Sequence, residues 1–316
     1  MKSTYRIESQ EIVECPAEEA SIYLYWNLTD DEKSDLEAVT GLERSDLEGV
    51  FDPDEVPRVE FFPDRIFLIW KRPDNVTTGA AVQFEVSSLG VVLGGGRMVL
   101  IAPRGAIPLN GKEFKHVTGV EDCFLRVLLH TIHHYQGHLK AIKQISQELQ
   151  AKLVTSMENR YLLQMFALGE SLVYYLNALE TNYGVLTKLR SSPEKWRLTP
   201  DLVEELDDVM IENQQASKQA SIYSSVLSGL MDARGTIINN NMNVLLKNLT
   251  IINVVFLPLN LIAGIFGMSE YSMMTQSFHW SISYSLFAVA MVLLGWVTWR
   301  LLVRSTERQQ RRNMRS

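Results

Sequence analysis

The chain has 316 residues, of which 21% are charged, and its formal net charge at pH 7 is −7. This length allows one large or two small folded domains, and no nucleic-acid partner is expected. Two cysteines, Cys15 and Cys123, are too few and too far apart for a disulfide framework or a cysteine-based metal site. The sequence contains no nucleophile–base pair and no nucleotide-binding loop, so the prediction is that the protein is not an enzyme.

Residues 1–118 predict a cytoplasmic α+β domain. Short β-rich runs such as IYLYWNL and RMVLIAP are separated by turn sequences such as FDPDEVP and PRG. The segments DDEKSDLEAV and RSDLEGV predict two short helices between the strands. The run 94–96 consists of three glycines and is interpreted as a turn, because a strand-like run follows it and no Lys-Ser or Lys-Thr pair does.

From residue 119 onward the pattern becomes helical and amphipathic. Residues 119–198 predict a pair of cytoplasmic helices that ends near SSPEKWRLTP. Residues 199–248 predict a very long stalk helix with Thr199 as its N-cap. A helix of this length needs partners along its surface, which favours an oligomer.

Two apolar segments near the C-terminus predict a membrane-spanning hairpin. Residues 249–268 and 281–303 each approach the roughly 20 residues that cross a bilayer, and residues 269–280 form the loop between them. The tail, residues 304–316, is rich in arginine, whereas the loop contains no Lys or Arg. By the positive-inside rule both termini are cytoplasmic, and the expected location is a bacterial inner membrane. The N-terminus has neither the pattern of a secretion signal nor that of a transit peptide.

One face of the stalk and first span is small or polar almost throughout. Alternating steps of three and four select Ser225, Gly229, Asp232, Thr236, Asn239, Asn243, Leu246, Thr250, Asn253, Leu257, Asn260, Gly264 and Gly267. Polar groups in a lipid-spanning helix must face other helices or water, because each unsatisfied group costs several kcal/mol in hydrocarbon. Helix packing explains the small residues, and a water-filled pore explains the large amides as well. The pore is the favoured interpretation.

The segment NVLLKNLTIINVVFLPLNLIAGIFGMS resembles the pore helix of the CorA family of divalent-cation channels. Similarity extends upstream through ELDDVMIENQQ and YSSVLSGLMDA, and downstream to the second span and the basic tail. The resemblance implies a homopentamer in which this helix from each subunit lines one axial pore. It also implies cytoplasmic cation sites between subunits that hold the channel closed.

The resemblance assigns roles position by position. The pore-facing positions are Asn243, Leu246, Leu249, Thr250, Asn253, Leu257, Asn260 and Gly264. Asp232 matches an acid that lines the cytoplasmic pore, and Asp208 matches an acid of the regulatory site between subunits. Divalent cations, Mg²⁺ or a transition metal, are then both the transported substrate and the regulatory ligand, and no other cofactor is expected.

The outer mouth departs from the family pattern. Gly267 and Met268 match the first two residues of the family's Gly-Met-Asn tripeptide, but Ser269 stands where the family has asparagine. A serine ring would be wider than an asparagine ring and would contact the hydrated ion more loosely. Glu270, the next residue, supplies either an acidic mouth that concentrates cations or an exposed carboxylate of little effect.

Four of the six histidines lie in the run HTIHHYQGH. His130, His134 and His138 recur at four-residue steps, a spacing that suits a transition-metal site on a helix. The alternative is a solvated or subunit-facing stretch of helix with no bound metal. Both interpretations remain open at this level.

Two charged segments flank the predicted pore. Five acids begin the stalk, which indicates a strongly negative surface; they are Glu204, Glu205, Asp207, Asp208 and Glu212. The tail arginines form either a basic collar near anionic lipid head groups or an electrostatic barrier at the cytoplasmic pore mouth.

The leading functional hypothesis is a CorA-like homopentamer that moves Mg²⁺, Co²⁺, Ni²⁺ or Zn²⁺ through an axial pore. Its expected partners are other copies of itself, membrane lipids and metal cations. Two alternatives remain: zinc-specific transport coupled to an ion gradient, and a weakly conducting or non-conducting membrane-anchored sensor or scaffold that kept the pentamer.

Overall fold

A computed structural model describes residues 1–78, 82–155, 159–196, 198–267, 273 and 279–313. The chain divides into two compact units, Met1–Met231 and Asp232–Ser316.

The first unit is built on a seven-stranded sheet with the order β2-β1-β3-β7-β6-β5-β4. The strands are β1 Lys2–Glu8, β2 Glu11–Glu14, β3 Ile22–Trp26, β4 Arg58–Phe61, β5 Arg65–Thr78, β6 Val82–Gly94 and β7 Arg97–Ala102. Only β3 and β7 pair in parallel; the other neighbours are antiparallel. The turn between β6 and β7 places Gly95 and Gly96 at positive φ, which confirms that the glycine run is a turn.

Helices cover both faces of this sheet. Since successive side chains of a strand point to opposite faces, β5 contributes apolar side chains to both helix-covered clusters. Phe67 and Ile69 pack with the short helices α1 (Asp30–Thr40) and α2 (Arg44–Phe51). Leu68 and Trp70 point to the other face, towards α3 (Val120–Thr155) and α4 (Asn159–Arg190). The two predicted short helices are therefore confirmed. A capping box between Thr29 and Glu32 begins α1.

Side chains of α4 complete the hydrogen bonding of the β5–β6 hairpin. The first pair of β4 joins Arg58 to Ile69, so Lys71 lies beyond the end of that ladder. The buried Asn182 side chain takes the place of a strand there: its Oδ1 accepts from the Lys71 N–H at 3.0 Å and its Nδ2 donates to the Lys71 carbonyl at 2.7 Å. Ser171 Oγ likewise accepts from the backbone N–H of Phe84 at 3.1 Å.

Helix α5 runs from Pro200 to Phe266, and Thr199 accepts a hydrogen bond from the Leu202 N–H as its predicted N-cap. Within the first unit α5 buries one stripe at steps of three, four and finally seven residues, made of Leu206, Val209, Asn213, Ala216, Ala220 and Leu227. Asn213 Nδ2 donates to the Leu179 carbonyl of α4 at 2.8 Å. Arg190 and Asp207 form a two-point ion pair between the same helices.

The second unit contains the apolar end of α5 and helix α6, Trp280–Asn313. By length and composition, α5 and the Ser281–Leu301 part of α6 are each long and apolar enough to cross a membrane. The helix of α6 continues through much of the basic tail. The α+β domain, the long helices and the two apolar C-terminal helices agree with the fold predicted from the sequence.

Candidate functional site

The polar stripe of α5 is exposed in the second unit. Every stripe position from Asp232 to Gly267 is exposed to solvent, including Asn243, Asn253 and Asn260, three of its four asparagines. Across the described residues, no hydrogen-bond partner is found for these three amides. Thr250 differs, because its hydroxyl donates to the Leu246 carbonyl at 2.8 Å and keeps its lone pairs free to accept.

The opposite face of α5 packs against α6. Val255 is buried, and Leu259 Cδ1 lies 3.4 Å from the position that a Cβ on Gly295 would take. Val255 and Asn253 are two residues apart, which places them roughly 160° apart around the helix at about 100° per residue. The polar stripe therefore lies on the side of α5 that α6 does not cover, and it is free to face other copies or water.

Two apolar side chains, Leu246 and Leu257, interrupt the stripe, and Leu249 lies beside it. Leu246, Leu249 and Leu257 are 53%, 56% and 70% exposed. Rings of such side chains around an axis would exclude water and close a pore by dewetting. The stripe thus combines neutral oxygen donors for a cation with constrictions that can close.

The predicted mouth is only partly covered by the structure. Gly267 is exposed and its N–H donates to the Ala263 carbonyl at 2.9 Å, so it continues the last turn of α5. Met268, Ser269 and Glu270 lie outside the described residues. Their roles remain predictions.

Most of the acidic run at the start of α5 is paired within the subunit. Arg126 of α3 lies 3.5 Å from Glu205, and the amide of Gln136 donates to Glu212 at 2.7 Å. Burial, followed by the neighbouring carboxylate of Asp122, raises the pKa of Glu205. Asp207 pairs with Arg190. Glu204 and Asp208 are the members of the run that are exposed.

Asp208 and Asp232 both lie on the exposed side of α5. Asp208 belongs to the first unit and Asp232 to the second. A cation bound by Asp208 would need a further ligand from another copy or from water.

The histidines of α3 point in different directions. His130 and His133 approach the Glu113 carboxylate at 3.5 and 3.1 Å, whereas His138 Nδ1 lies 2.5 Å from the Tyr175 hydroxyl. Burial, and then the neighbouring His134, lowers the pKa of His138 to about 4. In the part of the chain that the structure describes, no three His, Cys, Asp or Glu side chains form a group able to hold a metal ion. The rings of His134 and His138 lie side by side with their centroids 4.3 Å apart, whereas His130 faces Glu113. The metal-site interpretation of His130, His134 and His138 stays a prediction.

Comparison with known proteins identifies the family. A family model described as "CorA-like Mg2+ transporter protein" matches residues 18–304. The chain belongs to this family. CorA, the cobalt/magnesium transport protein of Methanocaldococcus jannaschii, is 25% identical over 253 residues, which cover 76% of this chain and 77% of that protein. The Thermotoga maritima cobalt/magnesium transport protein CorA is 35% identical over 82 residues, 24% of this chain and 23% of that protein.

The solved structures agree with the fold. The complete structure of the CorA magnesium transporter of Methanocaldococcus jannaschii matches with a TM-score of 0.73 at 19% identity and covers 98% of each chain. CorA proteins are divalent-cation transporters with transmembrane helices, not enzymes. The resemblance noted in the pore-helix sequence is thus confirmed for the chain as a whole.

The structure extends the exposed stripe of α5 below Ser225, and Lys218 lies on this extension. Steps of three and four continue below Ser225 without interruption through Ile222, Lys218, Gln215, Ile211 and Asp208, and all five are exposed. The sequence contains the regular spacing of these five positions. Only the burial of the apolar stripe that begins at Leu206 shows that they lie on the free face of α5.

Proposed function

We propose that symmetric copies of this chain line an axial pore with the polar stripe of α5 and pass divalent cations through it. The observation that carries this proposal is the exposure of Asn243, Asn253 and Asn260 on the side of α5 opposite α6. Asn253 and Asn260 lie within the predicted first span, where amides that face away from their own hairpin need water or another copy as a partner. A shared aqueous axis supplies both.

The spacing of the stripe supports a parallel assembly of copies. From Asp208 to Gly267 the stripe alternates steps of three and four, an average repeat of about 3.5 residues. A straight helix has about 3.6 residues per turn, so helices with this repeat keep one face towards a common axis by a left-handed supercoil. The expected number of copies, five, follows from the resemblance to the CorA family.

The chemistry of the stripe suits a hydrated divalent cation. Amide and hydroxyl oxygens can contact the water shell of Mg²⁺, which loses its water reluctantly. Two relatives are named as cobalt/magnesium transport proteins, so Mg²⁺ and Co²⁺ are the first substrates to test, followed by Ni²⁺ and Zn²⁺. Leu246 and Leu257 then act as apolar gates.

Gating is assigned to the cytoplasmic acids. Five copies would bring Asp208 close to neighbouring subunits, where like charges repel unless a cation binds between them. High cytoplasmic Mg²⁺ would favour the bound, closed assembly, and low Mg²⁺ would release it. By the positive-inside rule, both termini lie in the cytoplasm of a bacterium and the 269–280 loop lies outside, with α6 in contact with membrane lipids.

The test is ion flux into dye-loaded proteoliposomes, with Mg²⁺, Co²⁺, Ni²⁺, Zn²⁺ and K⁺ measured side by side. Wild type is compared with Asn253→Leu and with Ile252→Leu, a matched change at a neighbouring exposed position outside the stripe. We expect Asn253→Leu to lower divalent flux at least tenfold and Ile252→Leu to change it less than twofold. Equal flux in wild type and Asn253→Leu would reject the stripe as the path.

Ser269→Asn, added to the same assay, examines the changed mouth. The asparagine should narrow the ring and increase the preference for Mg²⁺ over the other ions. A wild type that conducts nothing, beside a conducting Ser269→Asn, would instead support the sensor or scaffold alternative. Uptake that is specific for Zn²⁺ and requires an ion gradient would support the coupled-transport alternative.

A further inference from the structure

The C-terminal end of α6 carries aromatic and basic side chains on one face. The Arg300 guanidinium carbon lies 4.8 Å from the centre of the Trp296 ring. Arg304 follows one turn later and is exposed, and the same four-residue step continues in the sequence to Arg308 and Arg312. We call Trp296, Arg300 and Arg304 the arginine face.

The arginine face points away from α5. The less exposed positions of α6 form one stripe, made of Ser283, Phe287, Met291, Gly295 and Thr298. At about 100° per residue, Trp296 and Arg300 lie roughly 160° from the mean direction of that stripe, and Arg304 lies roughly 120° from it. Since α5 carries the proposed pore, the arginine face is directed to the lipid side of the helix. This direction favours the lipid collar over an electrostatic barrier at the pore.

The depth of these residues matches a membrane surface. The apolar window of α6 ends at Leu301, and Trp296 and Trp299 are 54% and 52% exposed near that end. Tryptophan is enriched at the level of lipid head groups, where its ring is partly apolar and its N–H can reach polar partners. The arginine face therefore begins where hydrocarbon gives way to head groups.

The chemistry of Arg300 leaves its hydrogen-bond donors available. The guanidinium carbon lies over the Trp296 ring, and the five N–H donors lie along the edge of the guanidinium plane. Within the described residues, no acidic side chain pairs with Arg300 or Arg304. A planar fork of this kind matches two oxygens of a phosphate.

We propose that Trp296, Arg300 and Arg304 form a binding site for the phosphate of an anionic phospholipid head group. Trp296 positions the Arg300 guanidinium over its ring, and the two arginines provide the donors and the positive charge. The site lies outside the proposed ion path and does not depend on which cation is carried.

The experiment measures lipid selectivity with the full-length protein in nanodiscs. Brominated phosphatidylglycerol or brominated phosphatidylcholine is titrated into a phosphatidylcholine background, and quenching of tryptophan fluorescence reports contact. Wild type is compared with Arg300→Gln/Arg304→Gln, with the milder Arg304→Gln, and with Lys247→Gln. The last variant removes one exposed positive charge from α5 of the same unit. Thermal unfolding in pure phosphatidylcholine checks that each variant is folded, and a parallel titration adds inorganic phosphate as a competitor.

We expect wild type to prefer phosphatidylglycerol over phosphatidylcholine by roughly fivefold or more for each arginine. The double variant should lose this preference, Arg304→Gln should lose part of it, and Lys247→Gln should retain it. Millimolar inorganic phosphate should compete weakly, because it lacks the membrane contact of Trp296. Equal binding of the two lipids by wild type would overturn the proposal. So would an unchanged preference in both arginine variants, an equal loss in Lys247→Gln, or full competition by free phosphate.

Discussion

Replacement of Asn182 by alanine should destabilise the cytoplasmic unit more than any exposed substitution on α4. The side chain is fully buried, and its amide satisfies both the N–H and the carbonyl of Lys71 at 3.0 and 2.7 Å. Alanine would leave one buried donor and one buried acceptor without partners. Each such group costs about 1–3 kcal/mol, so the free energy of unfolding should fall by about 4 kcal/mol.

The assay is thermal unfolding of the full chain in detergent, followed by far-UV circular dichroism. For a unit of this size, 1 kcal/mol shifts the midpoint by about 2–4 °C, so the expected decrease is on the order of 10 °C. Asn177→Ala is the matched control, because Asn177 is an exposed asparagine on the same helix. Its expected effect lies within about 0.5 kcal/mol.

The result that would refute this reasoning is a similar midpoint for Asn182→Ala and Asn177→Ala. It would mean that water replaces the amide at the end of the β5–β4 ladder and that the site is not closed to solvent. Asn182→Asp adds a second check: it keeps an acceptor for the Lys71 N–H but loses the donor for the carbonyl and buries a charge. It should be as destabilised as the alanine variant at pH 7.

Three further predictions concern other parts of the molecule. Gly295→Leu should lower the thermal stability of the α5–α6 pair by about 1–3 kcal/mol, because even a Cβ at this position would lie 3.4 Å from Leu259. Gly264→Ala serves as the control, because a Cβ at Gly264 meets open space among the described residues. The pKa of His138 lies below that of an unfolded histidine, so this residue contributes stability above pH 6.5 that is lost as the pH falls towards 4. The thermal unfolding midpoint of His138→Gln should therefore fall less than that of wild type over this pH range. Parallel curves of midpoint against pH for the two proteins would contradict the assignment. Asp208→Asn should weaken the inhibition of flux by cytoplasmic Mg²⁺, whereas Asp201→Asn, in the first turn of α5, should leave it unchanged; identical inhibition curves for wild type and Asp208→Asn would remove this acid from gating.

Much of the fold could be predicted from local pattern. The glycine run at residues 94–96, the Thr199 cap and the two short helices after β3 follow from turn and cap chemistry that acts over a few residues. The apolar C-terminal segments are recognised from length and composition alone. The CorA resemblance came from a continuous stretch of α5, in which the spacing of small and polar residues is itself the signal.

Contacts between distant segments could not be predicted in this way. The pairing of β3 with β7 joins residues about 75 positions apart, and the amide of Asn182 reaches Lys71 across 111 positions. Nothing in the sequence around Asn182 indicates that its side chain would hydrogen-bond to the backbone of a strand. The histidine run shows the same limit: its spacing allows a metal site or an ordinary stretch of helix, and only the fold shows that His130 faces Glu113 and His138 faces Tyr175.

The sequence by itself determined that α5 has a polar face and that α6 ends in arginines, because helical periodicity follows from the backbone geometry of any helix. Which side of each helix stays free was decided by tertiary structure. Leu259 of α5 packs against Gly295 of α6, and Val255 is buried on the same side of α5. That packing leaves the amides of α5 on the side away from α6 and the arginines of α6 on the side away from α5. The physical reason is that apolar burial selects one pair of faces, and the polar groups occupy those that remain.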